Sequence, residues 1–276
     1  MGLYVVATPI GHLGDVTLRA LMTLANVERI ACEDTRVSGG MLSKYGIKKP
    51  LIAYHDHNAD HAGGSILRAI QDGQAVALIS DAGMPLISDP GFGLVNACLK
   101  AGYPVTVIPG ANAALTALAG SGLPTDRFHF CGFLPPKSVA RRKALTSMLE
   151  IPGTLIFYEA PQRLAETLAD MASVFGDDRA AAVARELTKL FEEQRRGTLG
   201  ELAEHYATHD VKGEIVILVA PRTDSAEAST ADIDALLAEA LRTQTLRDAV
   251  AAVSDLTGVK KNEVYARALK LAEKDN

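Results

Sequence analysis

The feature that most limits the possible folds is a regular alternation of short apolar runs with segments of helix length over the first 120 residues. Short apolar runs suit strands that are covered on both faces, and helix-length segments between them suit connections between parallel strands. The sequence therefore predicts an α/β fold with a mostly parallel sheet, whose functional residues gather at the carboxyl ends of the strands. The predicted strands are Leu3–Ala7, Arg29–Cys32, Leu51–Tyr54, Ala75–Ile79 and Val105–Ile108. Asp15 or Thr17 is expected to cap the first helix, and Gly46 to end the second.

The turn-rich segment Ser121-Gly122-Leu123-Pro124 marks a break, after which a second α/β unit begins. We predict a linker at Pro221–Thr230 and, beyond it, three short helices that resemble a helix-turn-helix unit. The predicted domains are residues 1–120, 121–222 and 231–276. The second unit is predicted to contain strands at Phe128–Phe133, Thr154–Tyr158, Ala181–Ala184 and Glu214–Ala220, and helices around Arg141, at Gln162–Phe175 and at Leu199–Tyr206.

Composition excludes fibrous and disordered chains, because 48% of residues are hydrophobic and 22% are charged, as in globular proteins. No apolar run approaches the ~18 residues of a membrane-spanning helix, so we expect a cytoplasmic protein without a membrane partner. Cys32, Cys98 and Cys131 are odd in number and far apart, which favours reduced, buried thiols. A net charge of −5 argues against nucleic-acid binding by the whole surface but allows a local basic face.

Three loops at predicted strand ends are rich in glycine, proline and small residues. They are Thr8–Asp15, Ser80–Gly91 and Pro109–Ala113. The second loop has twelve residues, which is long for a connection in an α/β unit. The spacing in the first loop does not match the glycine fingerprint of dinucleotide-binding proteins. Because parallel strands end at one edge of a sheet, the three loops predict a single ligand pocket.

The histidine-rich segment His55–His61 raises a metal site as an alternative. Its pattern approaches the H-x-H-x-D-H ligand run of metallohydrolases, but the Asp-His pair comes one residue late. No distant histidine or cysteine obviously completes a set of three or four zinc ligands. We therefore expect no metal, and we interpret His57 and Asn58 as residues that edge a site or fix a loop.

Six motifs in the same order carry a resemblance to a known family. They are Thr8–Asp15, Glu33-Asp34-Thr35-Arg36, Ser80–Gly91, Pro109-Gly110-Ala111, Ser121–Pro124 and Tyr158-Glu159-Ala160-Pro161. Together they resemble the tetrapyrrole-methylase superfamily over nearly the whole chain. Within it the chain looks like the bacterial enzymes that methylate the ribose 2′-hydroxyl of a cytidine in 16S ribosomal RNA.

The resemblance implies a two-domain α/β methyltransferase with a small helical C-terminal domain. It also implies S-adenosylmethionine as cofactor between the two α/β domains, a homodimer, and 16S ribosomal RNA or the small ribosomal subunit as partner. The residues that it places at the cofactor are Pro9, Gly11, Asp81, Gly83, Met84, Asn112, Ala113 and Tyr158. His12 and Met84 depart from the family, which usually has Asn and Thr there, so the resemblance implies backbone contacts at these two positions.

Ribose methylation needs alignment of the hydroxyl with the methyl group and benefits from an acceptor for the hydroxyl proton. Asp34 and Arg36 are the first candidates, since they combine a carboxylate with a guanidinium suited to phosphate. The alternative is an ion pair that only fixes the loop. Glu186 and Lys189, which follow a strand of the second unit, are further candidates.

The segment from Arg127 to Leu149 contains five basic residues and no Asp or Glu. We predict that Lys137, Arg141, Arg142 and Lys143 contact RNA phosphates, although a solvated helix face would have the same composition. Aromatic residues are 5% of the chain with no Trp, which argues against a base-stacking platform.

Two other functions remain open at this point. A corrinoid or other small-molecule methylase would share the cofactor loops. A ligand-sensing DNA-binding regulator would use the C-terminal helices, but residues 231–276 have seven basic and eight acidic residues, so they lack the basic surface of an operator reader.

Overall fold

The computed structural model describes residues 1–55, 58–222, 230–257, 259 and 261–272. Contacts divide the chain into two compact units, Met1–Arg222 and the residues from 223 onward. The predicted linker falls largely on residues 223–229, outside the described part. The predicted boundaries at 120/121 and 231 stay predictions. No helix in the described ranges is long and apolar enough to cross a membrane.

The first sheet has five parallel strands in the order β3-β2-β4-β1-β5. All five predicted strands are confirmed, and all five carboxyl ends lie at one edge. The strands are β1 (Gly2–Val6), β2 (Arg29–Cys32), β3 (Leu51–Ala53), β4 (Ala75–Ile79) and β5 (Val105–Ile108).

The second sheet is mixed, with the order β6-β7-β10-β8-β9. Only the β6–β7 pair is parallel. The pairs β7–β10, β10–β8 and β8–β9 are antiparallel. The four predicted strands are confirmed, and β9 is an addition. The strands are β6 (Phe128–Phe133), β7 (Thr154–Glu159), β8 (Ala180–Arg185), β9 (Glu193–Thr198) and β10 (Ile215–Val219).

Eight helices connect these strands in the described part of the first unit. They are α1 (Leu18–Asn26), α2 (Thr35–Lys44), α3 (Ala59–Gln71), α4 (Phe92–Lys100), α5 (Ala113–Ser121), α6 (Ser138–Thr146), α7 (Leu164–Phe175) and α8 (Leu199–Thr208). The hydroxyl of Thr17, rather than Asp15, caps α1 by accepting from the Ala20 N–H at 3.1 Å. Gly46 follows α2 at a φ of +73°, the left-handed conformation that ends a helix.

The C-terminal unit contains the three predicted helices, α9 (Thr230–Leu241), α10 (Leu246–Thr257) and α11 (Lys261–Ala272). They bury one small apolar core formed by Ile233, Leu237, Val250, Val253, Val264 and Ala268. The unit thus has its own core, as a separate domain requires.

Helix α5 packs against the second sheet through small side chains. Ala114, Ala117 and Leu118 share a buried cluster with Ile156 on β7, Ala182 and Ala184 on β8, and Val216 and Leu218 on β10. Alanines on both surfaces let helix and sheet approach closely, and interiors of this kind tolerate little added volume. This contact joins the two sheets.

Strand β9 was not predicted because its sequence, Glu-Gln-Arg-Arg-Gly-Thr, lacks an apolar face. Its polar side chains instead donate hydrogen bonds to carbonyl groups near the end of α5. Gln194 Nε2 donates to the Ala117 carbonyl at 2.9 Å, and Arg196 Nε donates to the Ser121 carbonyl at 3.0 Å. Arg196 also donates through Nη2 to the Gly120 carbonyl. A guanidinium at a helix C-terminus satisfies free carbonyls and complements the helix dipole.

All three cysteines are free thiols, with Cys32 and Cys98 buried and Cys131 half-buried. Burial raises the pKa of Cys131 to about 11. The thiols are therefore neutral, as the predicted structural role requires.

Arg141 corrects the prediction of a phosphate-binding residue. Its side chain is 1% exposed, and its Nε lies 2.7 Å from Asp170 Oδ2 on α7. Nη1 donates to the Pro136 carbonyl at 3.3 Å, and Ser138 Oγ donates to the same Asp170 carboxylate at 3.0 Å. Arg141 therefore fastens α6 to α7 and is closed to an RNA phosphate.

We predict that Arg141→Ala lowers the free energy of unfolding by about 3 kcal/mol, because it leaves the largely buried Asp170 carboxylate without its cation. Arg142→Ala is the matched control on the exposed face of the same helix and should cost less than about 0.5 kcal/mol. Urea unfolding of both variants measures the difference. Equal losses would contradict the structural role of Arg141.

Candidate active site

A cleft of about 390 Å³ lies between the strand ends of the first sheet and the second sheet, within the first unit. It is lined by Ile10, Ala82, Gly83, Met84, Ile87, Ser88, Asp89, Asn112, Ala113, Phe133, Tyr158, Glu159, Ala160, Pro161, Gly213, Glu214, Ile215 and Val216. The charged residues among them are Asp89, Glu159 and Glu214, all acidic. The cleft is thus largely apolar with an acidic lining.

Five of the predicted cofactor residues line this cleft: Gly83, Met84, Asn112, Ala113 and Tyr158. Three others do not. Pro9 is buried, and Gly11 packs on the loop after β8, where an added Cβ would lie 2.5 Å from Lys189 Cγ. Asp81 Oδ1 points away, toward the Ser38 hydroxyl at 3.2 Å and the Asp34 N–H at 3.4 Å.

Backbone hydrogen bonds hold two of the cleft loops together. The N–H of Thr8 donates to the Gly83 carbonyl at 2.9 Å, and the N–H of Gly83 donates to the Thr8 carbonyl at 3.2 Å. Thr8 Oγ1 also donates to the Ser80 carbonyl at 3.0 Å. Gly83 has a φ of +85°, and a Cβ there would lie 3.1 Å from Ile10 Cγ2, so glycine suits both backbone and space.

Strained backbone is concentrated in two loops near the cleft. Within the described residues, the non-glycine residues with positive φ are Leu86, Ser88, Glu186 and Thr188. The first two belong to the Ser80–Gly91 loop, and the other two to the loop after β8. The backbone N–H of His12 donates to Thr188 Oγ1 at 3.0 Å, which ties the first loop to the second sheet. Such conformations are costly and cluster at functional sites.

Tyr158 forms one wall of the cleft and packs edge-on against Phe130 and Phe133, with ring centroids 5.0 and 5.7 Å away. Burial raises the pKa of its phenol, and the charges of Asp89 and Glu214 raise it further. Tyr158 is therefore a neutral wall residue. Phe133 was missed by the sequence analysis because its position at the end of an edge strand gives no signal of a ligand.

Asp89 is an acidic group of the cleft that the sequence analysis did not single out. Burial raises the pKa of its carboxyl, the hydrogen bond from Ser80 Oγ to Oδ2 opposes that rise, and Asp81 adds to it. The sequence feature that could have identified Asp89 was its position in the long Ser80–Gly91 loop. Glu159, by contrast, is fully engaged: it accepts from Thr167 Oγ1 at 2.7 Å and from Arg163 Nη2 at 3.3 Å.

Asp34 and Arg36 lie outside the cleft lining, in a shallow depression with Asp81 and His55. Asp34 Oδ1 caps α2 by accepting from the Arg36 N–H at 2.8 Å, and its carboxylate also receives Arg36 Nε at 3.1 Å and Nη2 at 2.6 Å. These hydrogen bonds from Arg36 lower the pKa of Asp34 to about 2. Asp34 is thus a poor proton acceptor, whereas Arg36 is 90% exposed.

Glu186 and Lys189 form an ion pair at the edge of the second sheet, with Lys189 Nζ 2.8 Å from Glu186 Oε1 and 3.3 Å from Glu214 Oε2. The hydrogen bond from Lys189 lowers the pKa of Glu186. Burial lowers the pKa of Lys189, but the hydrogen bond to Glu186 and the charge of Glu214 outweigh it and raise the pKa overall. Lys189 is therefore an ammonium group, joined to the cleft through Glu214.

In the described ranges, no group of three or more His, Cys, Asp or Glu could hold a metal ion. Two residues of the histidine-rich segment, Asp56 and His57, lie outside the described part. Of their neighbours, Asn58 fixes the loop, since its Oδ1 accepts from the His55 N–H at 2.8 Å and its Nδ2 donates to the Ala53 carbonyl at 3.0 Å.

Comparison with known families defines the class of this fold and site. The model of the Tetrapyrrole (Corrin/Porphyrin) Methylases matches residues 2–203, and that of the RsmI C-terminal HTH domain matches residues 227–272. A solved structure of similar fold is the uroporphyrin-III C-methyl transferase from Thermus thermophilus complexed with S-adenyl homocysteine. It is 20% identical, with a TM-score of 0.56 over 79% of this chain and 97% of that one. The fold is that of a tetrapyrrole methylase with an added helical domain.

Curated relatives are far more similar in sequence. The ribosomal RNA small subunit methyltransferase I of Mesorhizobium japonicum is 51% identical over 98% of this chain and 92% of the relative. The protein of the same name from Haemophilus influenzae is 48% identical over 99% and 98%. The chain therefore belongs to the ribosomal RNA small subunit methyltransferase I family of tetrapyrrole methylases, and it is a methyltransferase.

We predict that Gly83→Val weakens S-adenosylmethionine binding at least tenfold, because a branched side chain at positive φ must displace a loop that lines the cleft. Gly102→Val is the matched control, since Gly102 has a φ of +77° with nothing within 4 Å of an added Cβ. Calorimetric titration of both variants with S-adenosylmethionine measures the effect. Unchanged affinity in a folded Gly83→Val protein would place the cofactor elsewhere.

Proposed function

We propose that this protein transfers a methyl group from S-adenosylmethionine to the ribose 2′-hydroxyl of a cytidine in 16S ribosomal RNA. The observation that carries the proposal is an acidic, largely apolar cleft at the strand ends of a chain that is 51% identical to a ribosomal RNA small subunit methyltransferase I. The cytidine, the 2′ position and a homodimer are implied by the sequence resemblance and stay predictions.

The cleft suits S-adenosylmethionine chemically. Among the described residues, its lining has carboxylates and no lysine or arginine, which favours a ligand with a cationic sulfonium and ammonium. Apolar walls from Ile10, Met84 and Tyr158 suit a planar base, and Gly83 keeps the backbone accessible. We propose that these residues, with Asn112 and Ala113, hold the cofactor, while Pro9, Gly11 and Asp81 shape the loops behind it. When bound, the cofactor supplies an electrophilic methyl group.

The remaining residues have to align the ribose and receive its proton. Alignment alone supplies much of the rate of such a displacement. As proton acceptor we favour Asp89, because it lines the cleft and its raised pKa makes it a better base than Asp34, whose pKa is about 2. We propose that Arg36 and Lys189 contact the RNA backbone, that Asp34 positions Arg36, and that Glu186 positions Lys189.

The basic surface around α6 supports RNA binding with three of the four predicted residues, because Arg141 is buried. Lys137, Arg142 and Lys143 are exposed, and Arg142 Nη2 donates to Ser173 Oγ at 2.9 Å. We propose that these three residues contact phosphates without reading sequence. A corrinoid-type methylase is the weaker alternative, since the solved corrinoid and porphyrin methylases share the fold at about 20% identity or less.

The proposed function predicts methyl transfer from labelled S-adenosylmethionine to small ribosomal subunits isolated from a strain that lacks this gene. The reaction should proceed after chelator treatment, because we assign no metal to the site. Digestion to nucleosides should yield a single 2′-O-methylcytidine. A labelled base, or transfer to uroporphyrinogen in preference to RNA, would contradict the proposal.

The role of Asp34 predicts a matched pair of kinetic defects. If Asp34 acts through Arg36, then Asp34→Asn and Arg36→Ala should raise KM for the subunits to a similar extent, about threefold to tenfold, with cofactor affinity unchanged. If Asp34 were instead the general base, Asp34→Asn would lower kcat by about 10²-fold or more. Steady-state kinetics of both variants separates the two roles, and a large kcat loss confined to Asp34→Asn would make Asp34 the base.

A further inference from the structure

A second groove, of about 580 Å³, lies on the second sheet at the same end as the cleft, but on the opposite face, the one covered by α8. Its lining includes Arg185, Phe191, Arg195, His205, Tyr206 and Lys212, and we call it the β9–α8 groove. Lys212 borders the groove, whereas the next two residues, Gly213 and Glu214, border the cleft. The two depressions therefore meet around the end of the second sheet, where the chain leads into β10.

The groove has three cationic side chains against two carboxylates, Glu193 and Asp210. Arg185 Nη2 lies 3.2 Å from Glu193 Oε2, and Arg195 Nη2 lies 3.5 Å from Glu193 Oε1. One carboxylate thus holds two guanidiniums on the same wall, and Lys212 adds a third cation. The Arg195 side chain remains 42% exposed, so it can still meet a ligand.

Two buried donors of the groove lack an acceptor. Among the described residues, Arg185 Nε has no hydrogen-bond partner, and the Tyr206 hydroxyl has no acceptor, although it lies beside the Arg195 guanidinium. Buried polar groups in folded proteins are nearly always paired with protein, water or a ligand. Both atoms are closed to solvent, so the exposed Arg195 guanidinium, and not these donors, is the group of the groove that can meet an anion.

The groove also presents rings that can stack on a base. His205 and His209 are stacked, with centroids 4.2 Å apart and planes at 14°. Desolvation lowers the pKa of His205, and the charges of Arg195 and His209 lower it further, which favours a neutral ring. Phe191 is 67% exposed at the end of the strained loop after β8. An exposed aromatic ring on a constrained loop is typical of a binding surface.

We propose that the β9–α8 groove binds a nucleotide next to the methylated ribose, with its phosphate on Arg185, Arg195 and Lys212 and its base against Phe191 or the His205–His209 pair. This inference rests on the proposed function, since it takes RNA to be the substrate. Phosphate contacts and base stacking on aromatic or imidazole rings are the two general means of holding single-stranded RNA. The groove thereby helps to present one ribose to the cleft.

Three variants and a control test the groove. Arg195→Ala should raise KM for small ribosomal subunits about tenfold and reduce the slope of log affinity against log salt by about 0.7 to 0.9. Arg195→Lys should restore the slope. Phe191→Ala should raise KM but leave the slope unchanged, because it removes no charge. Lys100→Ala, an exposed residue on α4 outside both depressions, should change neither quantity.

Equilibrium binding of a fluorescently labelled single-stranded RNA, at several salt concentrations, gives the same comparison without catalysis. Unchanged KM and slope in folded Arg195→Ala, together with unchanged KM in Phe191→Ala, would overturn the groove while leaving the proposed function intact. Absence of methyl transfer by the unaltered protein would refute the proposed function, and the RNA-binding comparison would still decide for or against the groove.

Discussion

The packing of α5 on the second sheet is the contact on which the site depends. Its alanines at 114 and 117 pack against Ala182 and Ala184, so helix and sheet approach closely. The start of the same helix, Asn112 and Ala113, then borders the cleft together with Tyr158. The other end of α5 is held by hydrogen bonds from β9. A larger side chain in this contact would change the width of the cleft, because Ile10 and Val216 belong both to the contact and to the cleft lining.

Charge is divided between the cleft and its surroundings. Inside, the charged lining is acidic, which suits a cationic cofactor. Outside, the exposed cations include Arg36, Arg195, Lys137 and, on α6, Arg142 and Lys143. A net charge of −5 is therefore compatible with the proposed binding of a cationic cofactor and of RNA, because each would meet only its own local surface.

The sequence was sufficient to predict a structural element where a single local pattern determines that element. Nine of the ten described strands have mostly apolar sequences, so they could be predicted, and the cleft loops stand at strand ends. Strand β9 could not, because it has no apolar face and its polar side chains find their partners on α5, which is distant in sequence. Arg141 was misassigned for a similar reason: its partner Asp170 lies on another helix, and composition within the segment does not reveal it. Asp89 was missed because its raised pKa comes from burial within a folded loop.

The central claim is that this cleft methylates one ribose of 16S ribosomal RNA. The most direct test is mass spectrometric mapping of ribose methyl groups on 16S ribosomal RNA from three strains: the parent, a strain lacking this gene, and that strain with the gene restored. We predict that one 2′-O-methylcytidine disappears on deletion and returns on restoration. An unchanged set of ribose methyl groups after deletion would contradict the account.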